Sequence, residues 1–521
     1  MAGLLCRGCA FSPGHPIPTL PSFPMIRSRP FDQTPTPLLT AVQTASQRPH
    51  GAFYTPGHKR GQGASDGLKG LLGSAALRAD LTELPELDNL FTPEGVIQAA
   101  QDLAADAFGA EQTWFLANGS SCGLEAAILA TCNPGDKIIV PRNVHQSVIS
   151  GLILAGAQPV YLQPAYSPHL GLAGGLGADG IATALAHHPD SRAVLVVSPT
   201  YHGFCSDLEA IAAIVHQRGL PLLVDEAHGP HFGFHADLPR SALSQGADLV
   251  VQSTHKVLSA LTQAAMVHCQ GSRLNRDRLR AALQITQSTS PSYLLLASLD
   301  SARHQIATAG ERLLGRTLAL ALEMGRQIGE IPGFGVLKKA EVLATQIGAD
   351  LDPTRLTLDV SGLGLTGPEA DDYLHQNLGI TVELAQGRYL TLILSLGNRP
   401  RDGRHCVEAC RTLARDYARP GTQWVDGPSP LAWGRDSPVI LPPVSPRQAF
   451  FATTTTLATP LALGRLSADT IAAYPPGIPT LVAGEVITPG AIAHLTQLRQ
   501  AGATLTGTHD PTLENLRVLN L

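Results

Sequence analysis

From Gly51 to about residue 300, short apolar bursts alternate with amphipathic stretches. The bursts are TWFLAN (113–118), KIIVPR (137–142), AVLVVSP (193–199), LPLLVDEA (220–227) and DLVVQST (248–254). They are Val/Ile/Leu-rich and continuous instead of alternating, the pattern of strands buried on both faces of a parallel sheet. Helical spacing fills the gaps. In SDLEAIAAIVHQRG the pattern predicts a capping box of Ser206 and Glu209 and a stop at Gly219. Strands alternating with helices imply a doubly wound α/β domain, whose chemistry belongs at the C-terminal ends of its strands.

The rest of the chain reads differently. Residues 300–330 are one long helical stretch able to bridge to a second domain. Residues 355–415 look α+β, with RLTLDVSG and RYLTLILSLG as strands and a helix near 404–417. Residues 420–447 are Pro/Gly-rich and aperiodic, a linker signature. The predicted division is a disordered extension over 1–30, a large domain over 31–310, a small α+β domain over 311–420, a Pro-rich linker over 421–447 and a C-terminal module over 448–521. Residues 1–50 are Pro- and Ser-rich with one short helical pattern, PLLTAVQTASQ, and Met25 is a plausible start within them. No internal repeat is visible.

Composition narrows the function classes. With 44% hydrophobic and 15% charged residues the chain suits a globular protein, and its net charge of −5 excludes a generally basic nucleic-acid coat. No uncharged apolar run approaches the ~20 residues of a membrane span, and the first residues make a poor secretory signal. Eight cysteines in 521 residues are too sparse for a disulfide scaffold, and the lone Cys6–Cys9 pair is weak ground for a metal site. The expected location is the cytoplasm. Of the 37 basic residues only Lys59, Lys69, Lys137, Lys256, Lys338 and Lys339 are lysines, so chemistry needing a lysine amine has few candidates.

Three strand ends carry residues that make sense together. Ala117-Asn118-Gly119-Ser120-Ser121-Cys122-Gly123 is a small-residue loop opening a helix, where free N–H groups and the dipole suit a phosphate, though such loops are often plain tight turns. Asp225, in Val224-Asp225-Glu226-Ala227-His228, stands at the tip of the strand LPLLVDEA, a costly place for an unpaired carboxylate. Ser253-Thr254-His255-Lys256 leaves the strand DLVVQ, where burial would lower the lysine pKa and free its amine as a nucleophile. The plain alternative for Asp225 and Lys256 is a salt bridge with each other. Together, a phosphate cradle, a carboxylate and a lysine 31 positions later are what pyridoxal phosphate (PLP) requires. His145, after the strand KIIVP, could stack on the ring, the plain alternative being a surface histidine at a helix N-terminus. A rival reading takes Asp225, His228, His231 and His235 as metal ligands, but their irregular spacing on a turn does not set three ligands on one helical face.

These residues sit in motifs that resemble the Orn/Lys/Arg decarboxylase family: TPGHKRG (55–61), LTELPELDNL (81–90), FLANGSSCGLEAA (115–127), RNVHQSV (142–148), SPTYHGFCSDLEAI (198–211), VDEAHGPHFGFH (224–235), QSTHKVLSALTQAAMVH (252–268), TSPSYLLLASLDSAR (289–303) and YPPGIPTLVAGE (474–485). The resemblance implies fold type I of the PLP-dependent transferases, the aspartate aminotransferase type, with a mostly parallel large-domain sheet, a smaller α+β domain and a C-terminal module. It implies Lys256 as the PLP lysine, Asp225 at the pyridine nitrogen, His145 on the ring face and Thr200 near the ring hydroxyl, with His228 also at the cofactor. Ser120, Ser121, Ser253 and His255 would hold the phosphate, and Ser290 would reach the cofactor of a neighbouring subunit. His202 stands where larger members have Asp, and their N-terminal wing domain has no counterpart, so the match is to compact members.

The activity implied is decarboxylation of a basic amino acid, arginine before lysine or ornithine. Its distal cation would be met by an acidic residue among Glu83, Glu86, Asp88 and Glu485, and the proton returned to Cα by His255 or Lys256. A homodimer is the implied minimum assembly, and neither nucleic acid nor membrane is expected as a partner. The alternatives are transamination, in which Arg388 or Arg399 would bind the substrate α-carboxylate, and a PLP-fold protein without turnover.

Overall fold

The computed structural model describes residues 31–417, 439–474, 477–500 and 502–520. The expected extension 1–30 with Cys6 and Cys9, the linker as far as residue 438, and Pro475 and Pro476 of the YPPGIP motif lie outside the described residues.

An eight-stranded sheet forms the centre. Its order is Gln112–Leu116, Ala265–Cys269, Leu249–Gln252, Leu222–Asp225, Ser191–Val197, Lys137–Pro141, Gln158–Leu162 and Val439–Ile440. The run from Leu249–Gln252 to Gln158–Leu162 is parallel throughout, as the continuous apolar bursts predict. Ala265–Cys269 and the edge strand Val439–Ile440 run antiparallel to their neighbours. Helices cover both faces and close two apolar cores, one on each side of the sheet. One local expectation shifts by a residue. Asp207, not Ser206, caps helix Leu208–Gln217, accepting from Ala210 N–H at 3.0 Å. Ser206 is drawn back to the strand end, where its N–H donates to Ser198 Oγ at 3.1 Å.

Helix Tyr293–Gly329 carries the chain out of this domain. Its first half, including Leu296, Leu299 and Ile306, packs in a large-domain core, and Ala321, Met324 and Ile328 pack in the core of the next domain. The division at 310/311 therefore falls inside a continuous helix. The small domain is an antiparallel sheet ordered Gly335–Val336, Arg355–Asp359, Tyr389–Ile393 and Leu384–Gln386, backed by helix Pro400–Tyr417. A C-terminal module follows, with strands Ile471–Tyr474, Ile478–Leu481 and Thr504–Thr506 in one sheet and Thr454–Ala458 paired with Asn515–Leu519 in another. The last part of the expected linker is ordered: Val439–Ile440 joins the large sheet edge and helix Pro446–Phe451 follows.

Candidate active site

The site grows from two neighbouring parallel strands. Asp225 pairs in register with Val251, so the chain leaving Leu249–Gln252 emerges beside it. That chain turns at Ser253 into a one-turn helix, Thr254–Val257, which carries Lys256. Asp225 is buried and its Oδ1 accepts from Ala227 N–H at 3.1 Å. Burial raises its pKa, and the nearby Lys256 charge opposes that rise. Burial also lowers the Lys256 pKa, helped by Arg355 and opposed by Asp225 and Glu383. Among the other described lysines, Lys137 pairs with Asp190, Lys339 with Asp350 and Lys69 with Asp66, and Lys59 donates to the Tyr54 carbonyl.

The predicted phosphate cradle lies across the next element. Helix Gly119–Thr131 begins at Asn118 with no side-chain cap, leaving its first N–H groups for an anion. Ser253 Oγ donates to Ser120 Oγ at 2.7 Å, joining the two predicted phosphate hydroxyls; Ser121 follows in the same helical turn. The helix sits deep because Gly123 has no side chain. A Cβ there would meet Leu116, Val251 and Val267 side chains at 2.8, 2.9 and 2.9 Å.

His145 caps helix Gln146–Ala155, its Nδ1 accepting from Ser147 N–H at 3.2 Å. Burial, with Lys256 adding to it, lowers its pKa to about 4, so it presents a neutral ring near neutral pH. Gly477, with φ at +81°, lies against it; a Cβ there would stand 3.4 Å from His145 Nε2. Thr200 is buried in a tight turn, its Oγ1 accepting from Phe204 N–H at 3.1 Å. The His255 pKa is lowered by burial and by Lys256 beside it.

The small domain supplies two residues that sequence reasoning did not single out, Arg355 and Glu383. His228 Nε2 is 3.0 Å from Lys256 Nζ, and Arg355 Nη2 is 2.9 Å from His228 Nδ1. Tyr201 tilts over the His228 ring at 4.5 Å and donates to Glu383 Oε1 at 2.6 Å. Arg355 is fully buried; its Nε lies 3.8 Å from Asp352 Oδ2, and neither its Nε nor its Nη1 has a hydrogen-bond acceptor. A signal for Arg355 existed in the chain: it opens the apolar strand RLTLD, as costly a place for an unpaired charge as the one that drew attention to Asp225.

Other expected residues go elsewhere. Glu485, expected at the substrate, instead takes two bonds from Arg142, Nε to Oε1 at 2.8 Å and Nη2 to Oε2 at 2.7 Å. Arg142 is a buried cation that must be matched, so the carboxylate is spent there. Asp88 caps the entry to helix Val96–Phe108, accepting from Gly95, Ile97 and Gln98 N–H groups. Glu86 pairs with Arg48 at 3.1 Å. Glu83 keeps a buried Oε1 with no hydrogen-bond partner, and burial raises its pKa. Ser290 is exposed. Arg388 lies 3.1 Å from Asp359 and donates to the His169 carbonyl at 2.9 Å, and His202 bonds Thr391 at 2.9 Å. The histidines of the GPHFGFH turn diverge: His231 pairs with buried Asp352 at 3.1 Å, whereas His235 faces Glu311 at 3.8 Å.

A family model described as Orn/Lys/Arg decarboxylase, major domain, matches residues 36–402. The arginine decarboxylase of Bacillus subtilis is 37% identical over 94% of this chain and 99% of its own length. Lysine decarboxylase LdcA of Pseudomonas aeruginosa is 27% identical over 87% of this chain and 74% of its own. Among solved structures, the constitutive lysine decarboxylase of Escherichia coli superposes with a TM-score of 0.77 at 22% identity, covering 94% of this chain and 82% of that one. The α/β fold expected from the resemblance, fold type I, is the fold observed.

Proposed function

The chain belongs to the Orn/Lys/Arg decarboxylase family, and from that premise we propose that it decarboxylates arginine with pyridoxal phosphate held on Lys256. The observation that carries the reading is the convergence of buried Asp225, Lys256 and an uncapped helix start bearing Ser120 against Ser253. These residues fit the cofactor: a hydroxyl-lined anion cradle, a carboxylate for a ring nitrogen and a desolvated amine. When bound, PLP supplies an electron-accepting ring for the pair released as CO2 leaves.

The chain's own residues do the rest. Asp225 would pair with the ring nitrogen and hold a positive charge there, and its burial would strengthen that interaction. Ser120, Ser121, Ser253 and the helix N–H groups hold the phosphate, with His255 beside them. His145, neutral at working pH, would lie against the ring, with Gly477 of the C-terminal module seated against the imidazole. Thr200 would lie near the ring hydroxyl, with His228 also at the cofactor. Glu383, oriented by Tyr201, meets the substrate's distal cation. Glu83 is the loop carboxylate left uncommitted to a partner once Asp88 and Glu86 are engaged. His255 and Lys256 are the groups placed to return a proton to Cα.

Arginine is favoured by the relatives named arginine decarboxylase at 37–38% identity. No described helix is long and apolar enough to cross a membrane. We read the enzyme as a cytoplasmic homodimer, supported by the exposed Leu68, Leu71 and Leu72 on helix Asp66–Ala79.

The test is CO2 release by PLP-loaded wild type and Lys256→Ala, offered arginine, lysine and ornithine separately, with the amine identified by mass. The expected result is agmatine forming fastest with wild type and no amine with the variant. Cadaverine or putrescine in its place would reassign the substrate. Wild-type turnover in Lys256→Ala would overturn the assignment of Lys256.

A further inference from the structure

We propose that Arg355 is a positioning residue that, acting through His228, holds the Lys256 amine as its free base before cofactor is bound. The inference rests on the reading of Lys256 as the cofactor lysine. Three groups stand in line: Arg355 Nη2 lies 2.9 Å from His228 Nδ1, and His228 Nε2 lies 3.0 Å from Lys256 Nζ. Arg355 Nη2 also donates to the His228 carbonyl at 3.3 Å, which fixes its direction.

A guanidinium has only donors, so Nδ1 must offer a lone pair, and a neutral imidazole then carries its proton on Nε2. That proton points at Lys256 Nζ. An ammonium has three donors and no acceptor, so it would set donor against donor. The free amine has the one lone pair that accepts. It is the only protonation state of Lys256 in which both contacts are hydrogen bonds. A charged His228 gives no escape, because it is buried among Lys256, Arg355, His145 and His255.

The device matters because the other charges at Lys256 are divided. Asp225 from the strand end and Glu383 from the small domain favour the ammonium, whereas burial and Arg355 oppose it. His145 and His255, both held low by burial, are neutral neighbours near neutral pH, and the Tyr201 ring lies 6.0 Å from Nζ. Only a free amine attacks an aldehyde carbon: the new C–N bond forms and the aldehyde oxygen departs as water.

The experiment uses the full-length cofactor-free chain, labelled with trace acetic anhydride across a pH series. Labelling at Lys256 is read by peptide mass spectrometry, which is tractable with six lysines. Arg355→Met should raise the Lys256 midpoint by about one pH unit or more and slow PLP capture at pH 7 about tenfold. Arg355→Lys, still a pure donor toward Nδ1, should recover most of both. His228→Phe should also raise it, and adding Arg355→Met to it should add markedly less than Arg355→Met does alone.

An unmoved midpoint in Arg355→Met overturns the proposal. So does an equal further rise when Arg355→Met is placed on His228→Phe, which would assign the effect to charge repulsion alone. Should Arg355→Met not fold, an unmoved midpoint in His228→Phe overturns it instead. Borohydride reduction of the PLP-loaded wild type should place the cofactor mass on Lys256. Its appearance on another lysine would overturn the reading of Lys256 itself, and with it the role given to Arg355, whatever the midpoint.

Discussion

Arg142→Met removes the clamp that seats the C-terminal module on the large sheet. Arg142 follows strand Lys137–Pro141 and is 1% exposed. Besides its two bonds to Glu485, it donates to the Pro479 carbonyl at 2.8 Å and the Thr480 carbonyl at 3.2 Å. Glu485 in turn accepts from Val482 N–H at 3.0 Å. Removing one member of a buried pair leaves the other unmatched, at a cost of about 3–5 kcal/mol. The loss is local, since these contacts tie only the module to the sheet, so it should appear as sub-global opening. At 1.36 kcal/mol per decade, amide exchange in Ile471–Tyr474 and Ile478–Leu481 should accelerate by roughly two to four orders of magnitude. Exchange in Leu222–Asp225, on the far side of Ser191–Val197, should not change. Hydrogen exchange read by mass spectrometry makes the measurement. Glu485→Gln should give a smaller effect, and the double variant should be markedly less than additive. Unchanged exchange in the two module strands would refute the clamp. A raised KM for arginine in Glu485→Gln, with exchange unaltered, would return Glu485 to the substrate.

Two further outcomes follow from the same geometry. Ser253→Ala removes the hydroxyl 2.7 Å from Ser120; at about 1.5–3 kcal/mol for a bond to a charged group, PLP affinity should fall roughly tenfold to a hundredfold in an absorbance titration, and unaltered affinity would exclude a phosphate role. Glu226 is buried and its pKa is pushed up to about 8 by desolvation, against the hydrogen bonds from Gln252 and the Ala242 N–H. The native state thus keeps a proton that the unfolded chain releases above its ordinary carboxylate range. Stability from this group is therefore full below about pH 4.5 and lost as pH rises toward 8. Denaturant midpoints should decline over that window in wild type and decline less in Glu226→Gln; an equal decline in both would place the titration elsewhere.

Much of the frame was legible in the chain because it is local. Continuous Val/Ile/Leu runs predict strands covered on both faces, and five of them are neighbours in the large sheet or one antiparallel strand removed from it. Asp225 and Lys256 stood out because a charge at the end of a buried strand needs a reason. The Ser206 cap failed by one residue because the choice among adjacent polar residues depends on where the preceding strand releases the chain. Ala265–Cys269, inserted antiparallel between two other strands, leaves no periodic mark that distinguishes its direction.

What the sequence determined by itself was the α/β architecture, the family motifs and the small set of groups able to carry lysine chemistry, since each rests on neighbours within a few positions. The tertiary structure alone decided the partners. It set Arg355, 127 positions from His228, in line with Lys256, gave Tyr201 its carboxylate in Glu383, and took Glu485 for Arg142 across 343 positions. A buried charge announces in sequence that it must be matched. Which opposite charge matches it is settled only when packing brings distant segments within hydrogen-bonding distance, where desolvation makes every unmatched alternative costly.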